Sequence, residues 1–139
     1  MGLDFSHCDA HWAYSGFMRF RARLFYEIYR FDLEWMEGFD RDAIDSSKNP
    51  CHKPIPWEAL HDHPLKPLLN HSDCGGELPA NLCYEMGQVL REIVEKWEDY
   101  DTHRSRWPYN RCDYDREQAL ELVQGLLAAG LKNEPLCFR

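Results

Sequence analysis

The segment 16–37 carries apolar residues at helical spacing on two separate stripes, and this pattern constrains the fold most. Ser15 precedes the segment as an expected N-cap, and Gly38 follows its expected end. A helix with two apolar stripes must be covered on two sides, so it is predicted to be the central helix of the fold. The first stripe contains Phe17, Phe20, Leu24, Ile28, Phe31 and Trp35, and the second contains Met18, Ala22, Phe25, Tyr29, Leu33 and Met36.

Two further helices are predicted from apolar residues at the same spacing. Pro79 is a favourable first residue for one of them, and Gly87 indicates either a weaker helix or a close neighbour. Asp115 and Gln118 resemble a capping box at the start of the other, and Gly130 is expected to end it. The predicted fold class is therefore all-α or α-rich, a compact bundle of three main helices at about 16–37, 79–98 and 115–129 in one domain over residues 1–139.

The segments outside these helices carry two other signals. Leu3 and Phe5 alternate with polar residues near one end of the chain, and Leu136 and Phe138 do so near the other. Pairing of these segments predicts a short terminal two-stranded sheet that ties both ends down. A Pro-rich connection at 49–70 joins the first two helices, and Pro56 followed by Trp57 predicts one short helical turn within it. The remaining length without structure of its own favours a functional role.

Composition disfavours several classes of function. The chain has 16 Lys and Arg against 24 Asp and Glu, a net charge of −8, so bulk binding to nucleic acid or an anionic membrane is not expected. The sequence shows neither an apolar run of about 18 residues nor a secretory signal pattern, which predicts a cytoplasmic protein. The six cysteines include no CxxC pair, so reduced thiols are expected rather than disulfides or a cysteine zinc knuckle.

The first polar motif is the stretch 6–12, just before the central helix. His7 and His11 would face one way on a helix, whereas His7, Asp9 and His11 would share one face of a strand. Either geometry allows the side chains to bind a divalent metal such as Zn or to perform acid–base chemistry. The alternative is that these residues cap the helix and bond to loop backbone.

The second polar motif is the stretch 71–78, where adjacent glycines permit a close backbone approach. One interpretation is a structured turn into the next helix, with Leu78 as its apolar anchor. The other is a polar pocket shared with the first motif. That candidate pocket contains His7, Asp9, His11, His71 and Asp73, of which His7, His11 and Asp73 are candidate metal ligands.

The stretch 102–111 is a basic and aromatic island in an acidic chain. Arg, Trp and Tyr are the residue types of binding hot spots, and they also stack on bases or hold phosphates. Alternatively, the island is an ordinary loop whose arginines pair with nearby carboxylates. The acidic stretch 34–45 is either a solvated face or a docking surface for a basic partner. The candidate partner-binding residues are Arg104, Arg106, Trp107, Tyr109 and Arg111.

Three sequence patterns occur together: SHxDAxW at 6–12, LLNHSDCxGEL at 68–78, and 115–122 followed by the Glu-Pro-Leu of 134–136. Together they resemble an uncharacterised family of small bacterial proteins, found in actinobacteria among others. The resemblance spans most of the chain and implies no established activity. The chain departs from the family pattern at Gly75, where an acidic residue is expected, and at Leu78, where a Thr-type N-cap is expected. The island at 102–111 looks like extra length.

The sequence contains no G-x-S-x-G, P-loop or G-x-G-x-x-G motif. Small size, acidic charge and many aromatic residues favour a small, non-enzymatic cytoplasmic module that binds a protein partner, of inhibitor or immunity type, with no cofactor. A metal-binding or metal-dependent hydrolytic protein that uses the His/Asp cluster is the second interpretation. The third is an orphan structural domain whose polar motifs only organise loops.

Overall fold

The computed structural model describes residues 2–39, 53–71, 75–97 and 112–139. Three long helices dominate these ranges and confirm the α-rich prediction, and two small antiparallel sheets accompany them. Single 3₁₀ turns lie at Leu33–Trp35 and Trp57–Ala59. The elements are β1 (Gly2–Asp4), β2 (His11–Ala13), α1 (Tyr14–Tyr29), α2 (Lys66–Leu69), β3 (Gly76–Leu78), α3 (Ala80–Glu95), α4 (Cys112–Lys132) and β4 (Leu136–Phe138).

Helix α1, which the sequence predicts to be the central helix, is shorter than predicted. Ala13 is the N-cap of α1 in place of Ser15, and the helix ends at Arg30, which adopts a left-handed conformation with φ of 66°. The Arg30 N–H donates to the carbonyl of Tyr26 at 2.9 Å, which closes the last turn. The chain then folds back, so Phe31 packs edge-on against Phe25 at 5.1 Å. The predicted helix at 30–37 is therefore wrong, because the chain leaves the helix at Arg30 and buries Leu33 and Met36 through a separate 3₁₀ turn.

Helices α3 and α4 pack closely along their lengths. α3 lies within the predicted range, with Pro79 as N-cap. The close approach at Gly87 is confirmed, since a Cβ there would lie 2.9 Å from Leu127 Cδ2. α4 begins before the predicted start and runs through Gly130, so the prediction that Gly130 ends the helix is wrong. Gly130 instead lies against the Tyr84 backbone, where a Cβ would meet the Tyr84 nitrogen at 2.7 Å.

The two ends of the chain meet, although each end forms its main pairing elsewhere. β1 pairs antiparallel with β2, and β3 pairs antiparallel with β4. An antiparallel bridge between Phe5 and Phe138 joins the two sheets. Asp4 and Arg139 exchange backbone hydrogen bonds of 3.1 and 2.8 Å, and the Ser6 N–H donates to the Cys137 carbonyl at 2.9 Å. The predicted two-stranded terminal sheet is therefore wrong, since β1 pairs with β2 and β4 pairs with β3. The backbones of the two terminal segments meet through the bridge between Phe5 and Phe138 and its flanking hydrogen bonds.

Aromatic rings fill much of the buried cluster between the sheets and the helices. Trp12 stacks on Phe20 at 4.6 Å, and Phe5 packs on Phe138 at 4.9 Å. Arg21 is also buried, only 1% exposed, with its guanidinium 4.7 Å from the centre of the Phe17 ring. None of the helices in the described residues is long and apolar enough to cross a membrane.

Candidate functional site

A chain of hydrogen bonds runs through Ser6, His7 and Glu134. The Ser6 hydroxyl oxygen lies 2.7 Å from His7 Nδ1, and His7 Nε2 lies 2.8 Å from Glu134 Oε1. A carboxylate only accepts, so His7 Nε2 carries the proton, and in the neutral ring Nδ1 accepts from the Ser6 hydroxyl. The Cys137 N–H donates to the same Ser6 oxygen at 2.8 Å. The backbone of His7 is left-handed, with φ of 69°, which turns the ring toward the end of α4.

This order of serine, histidine and carboxylate resembles a nucleophile relay, but the surroundings of Ser6 favour a structural role. Ser6 is only 7% exposed, and its oxygen already receives the Cys137 N–H. A nucleophilic hydroxyl must instead face the substrate. The hydrogen bond from His7 holds the pKa of Glu134 below its usual range. The network supports the loop-bonding part of the alternative interpretation, because it fastens the 5–10 turn to the C-terminal segment. The helix-capping part is wrong, since the N-cap of α1 is Ala13 and no side chain bonds to it as a cap.

Cys8 and Cys83 also lack the surroundings of a reactive cysteine. Cys8, Cys83 and Cys137 are free thiols. Burial raises the pKa of the Cys8 thiol, and the nearby charges of Glu121 and Asp9 raise it further. Burial likewise raises the pKa of Cys83, which lies 3.3 Å from the Pro79 carbonyl. Thiols with a raised pKa remain protonated and are poor nucleophiles.

His11 connects three elements. Its Nδ1 lies 2.8 Å from Asp4 Oδ1, across the β1–β2 pair. Its backbone N–H donates to Gln118 Oε1 at 2.8 Å, and its carbonyl accepts the Tyr114 hydroxyl at 2.9 Å. The neighbouring Trp12 Nε1–H donates to Asp115 at 3.1 Å. The capping-box prediction is therefore wrong, because Asp115 and Gln118 lie inside α4 and their side chains bond to β2.

A small cleft of about 200 Å³ opens beside these bonds, at the junction of β2, α1 and α4. Its polar groups are already used to join the elements, since Tyr114 and Asp115 bond to β2. These side chains therefore have a structural role in the cleft. Its lining includes His11, Trp12, Gly16, Arg19, Tyr114 and Asp115.

His71 is packed between Phe138 and a glycine turn. Its ring stacks on the Phe138 ring at 3.9 Å, and its Nε2 donates to the Glu77 carbonyl at 3.1 Å. Its own carbonyl accepts a hydrogen bond from the buried Arg21 guanidinium. Gly76 has φ of 110°, and a Cβ there would lie 3.0 Å from the imidazole. These contacts support the structured-turn interpretation of the second motif, together with Leu78, which is 1% exposed.

The three histidines of the predicted polar pocket have separate partners. His7 bonds to Glu134, His11 bonds to Asp4, and His71 bonds to the Glu77 carbonyl. Asp9 is exposed. Over residues 2–39, 53–71, 75–97 and 112–139, no group of three or more His, Cys, Asp or Glu side chains is arranged to hold a metal ion. The remaining pocket candidate, Asp73, and the partner-binding candidates Arg104, Arg106, Trp107, Tyr109 and Arg111 lie outside the described residues.

Sequence reasoning missed one surface, although the Pro-rich connection pointed to its neighbourhood. A larger cleft of about 550 Å³ lies between the 62–70 segment and α3. Lys66 also borders it, with its ammonium 3.2 Å from the Leu60 carbonyl. Three polar residues in a row at 61–63, within a Pro-rich segment, were the available signal. The other lining residues are Asp62, His63, Pro64, Pro67, Asn70 and Glu85.

A scan against protein-family models and searches of the curated proteins and the solved structures return no match for this chain. The resemblance to a family of small bacterial proteins therefore stays a prediction.

Replacing His71 with alanine is expected to lower the free energy of unfolding by about 1–3 kcal/mol, because the Glu77 carbonyl loses its donor and Phe138 loses its stacking partner. Thermal unfolding followed by circular dichroism measures the effect as a fall in Tm of several degrees. His61→Ala is the matched control, since His61 is exposed. Equal melting temperatures for the two variants would show that the His71 contacts do not stabilise the fold.

Proposed function

We propose that this protein is a non-enzymatic binding module of the cytoplasm, of inhibitor or immunity type, that docks a basic protein partner without a cofactor. One observation carries the proposal. Among the described residues, the exposed side chains include twelve carboxylates and six Lys or Arg groups. The acidity of the chain therefore lies on a folded surface, where it attracts a basic partner and speeds the encounter.

The candidate chemical groups support binding rather than catalysis. Ser6 and His7 join the terminal segments, and the Cys8 thiol is held in its protonated form. Free thiols at the described cysteines are typical of a reducing compartment. The basic island at 102–111 supplies the Arg and Trp side chains from which interface anchors are usually made.

The proposal is tested by isolating the partner and measuring its binding with purified components. The immobilised protein captures candidates from a bacterial lysate, and each candidate is then produced separately and titrated by isothermal calorimetry. We expect a stoichiometric complex with a basic protein, weakened at least tenfold between low and high salt because surface charges are screened. A salt-independent affinity, or the lack of any partner that binds after purification, would contradict the proposal.

Variants of the basic island sharpen the test. Trp107→Ala is expected to weaken binding by about 30-fold or more, as loss of a hot spot does. Arg106→Glu is compared with Arg91→Glu, which makes the same charge change at an exposed position on α3. If Arg106→Glu and Arg91→Glu alter the affinity equally, the island does not contact the partner.

A further inference from the structure

We propose that the cleft between the 62–70 segment and α3 receives an arginine side chain of the basic partner, an inference that rests on the proposed function. The cleft, of about 550 Å³, is large enough to take a guanidinium and its aliphatic stem. Asp62 and Glu85 both line it and both are exposed. A carboxylate binds the planar guanidinium through two parallel hydrogen bonds, a geometry that an ammonium cannot match.

The single lysine of the lining does little to cancel this negative charge. The Lys66 ammonium donates to the Leu60 carbonyl at 3.2 Å and lies 3.9 Å from Asp62. Asp62 is fully exposed, with a side-chain exposure of 106%, so its pairing with Lys66 is weak and screened. The described lining carries two carboxylates, Asp62 and Glu85, against one ammonium, so the cleft has a net negative charge.

His63 adds no positive charge to the cleft. Its Nδ1 accepts the Leu65 N–H at 3.1 Å, so the proton of the ring resides on Nε2 and the imidazole is neutral. Burial and the neighbouring His61 lower the pKa of His63, which keeps it neutral at physiological pH. A protonated His63 would give up the bond from Leu65 and would repel a cation.

The remaining lining residues suit the apolar and donor parts of a guanidinium. Pro64 and Pro67 present apolar rings, on which the weakly hydrated face of a guanidinium can pack. Asn70 is exposed and contributes an amide oxygen that can accept from a guanidinium N–H. Proline rings together with carboxylate and amide acceptors favour arginine over lysine, whose ammonium is small and strongly hydrated.

The test uses N-acetyl-arginine amide as the probe and N-acetyl-citrulline amide as its neutral control, each titrated into the ¹⁵N-labelled full chain and followed by NMR. We expect saturable shifts at the backbone amides of His63, Lys66 and Asn70 and at the Asn70 side chain with the arginine probe, and none with citrulline. Glu85→Gln is expected to weaken the binding roughly two- to fivefold, as loss of an exposed charge pair does. Glu95→Gln is the matched control, because Glu95 is exposed on the same helix outside the cleft.

Each result separates this inference from the proposed function. Shifts that do not saturate, or equal weakening by Glu85→Gln and Glu95→Gln, would overturn the cleft assignment even if the whole protein binds a basic partner. Saturable binding of the arginine probe that Glu85→Gln alone weakens would support the cleft, even if no protein partner is found. Partner affinity that Glu85→Gln leaves unchanged would also overturn the assignment, while the proposed function would stand.

Discussion

Trp12→Ala is expected to lower the free energy of unfolding by about 3–5 kcal/mol, the cost of removing a large buried aromatic side chain. Trp12 is 1% exposed, stacks on Phe20 at 4.6 Å and lies 5.4 Å from Phe17. Its Nε1–H also donates to Asp115 at 3.1 Å, so the side chain connects β2 with both α1 and α4. The truncation would leave a cavity at the point where three elements meet, and collapse around it is restricted.

Urea unfolding monitored by circular dichroism at 222 nm measures this loss without relying on tryptophan fluorescence. Trp35→Ala is the control, because Trp35 is only partly buried and stacks on Phe31 at 5.6 Å. Trp12→Phe keeps an aromatic ring and removes the hydrogen bond, so it is expected to cost about 1–2 kcal/mol. If Trp12→Ala costs no more than Trp35→Ala, Trp12 does not hold the sheet to the helices.

Gly130→Ala is expected to destabilise the protein by about 1–3 kcal/mol, the usual cost of overpacking a core. Alanine ordinarily stabilises a helix interior relative to glycine by about 0.5–1 kcal/mol, so the expected sign is opposite to helix propensity. The reason is backbone contact, since the added Cβ would lie 2.7 Å from the Tyr84 nitrogen and 2.9 Å from its Cα. Backbone atoms of a helix cannot rotate away, so α3 and α4 must separate.

Two other glycines provide the comparison for Gly130. In Gly87→Ala the added Cβ would lie 2.9 Å from Leu127 Cδ2, which can adopt another rotamer, and 3.2 Å from Leu126 Cβ. No backbone atom is among these contacts, so a smaller loss than at Gly130 is expected. Gly16→Ala would make only ordinary contacts, the nearest at 3.6 Å to Trp12, and is expected to be neutral or stabilising. Denaturant midpoints for the three variants order the effects. If Gly130→Ala is as stable as Gly16→Ala, α3 and α4 can accommodate the added methyl group without destabilisation.

Local patterns in the sequence predict the helices well and their ends poorly. The apolar spacing of 79–98 predicts both ends of α3 to within three residues. This helix has a single apolar stripe, which packs against a single neighbouring surface, so the pattern corresponds directly to a helix. The 16–37 pattern continues past Arg30, yet the helix stops there. Leu33 and Met36 of the second stripe are buried after the helix has ended, so the periodicity does not distinguish a long helix from this arrangement.

The candidate site was less predictable than the fold, because its bonds join residues that are distant in sequence. His7 and Glu134 are 127 positions apart, and His11 and Gln118 are 107 apart. Asp115 and Gln118 have the side chains of a capping box, but they accept hydrogen bonds from residues distant in sequence. Gln118 accepts the His11 backbone N–H, and Asp115 accepts the Trp12 indole N–H. The terminal strands were predictable from their alternation, whereas the partners of three-residue strands depend on tertiary packing.

The native contacts of β1 and β2 require residues that the ribosome adds much later. The segment of Leu3 and Phe5 forms backbone hydrogen bonds with Arg139 and a bridge with Phe138 in β4. Trp12 donates its indole hydrogen bond to Asp115 of α4. Because the chain is synthesised from the N-terminal side, these apolar side chains lack part of their native contacts until the 112–138 segment leaves the ribosome. Complete formation of the two sheets is therefore a late event in the synthesis of each molecule.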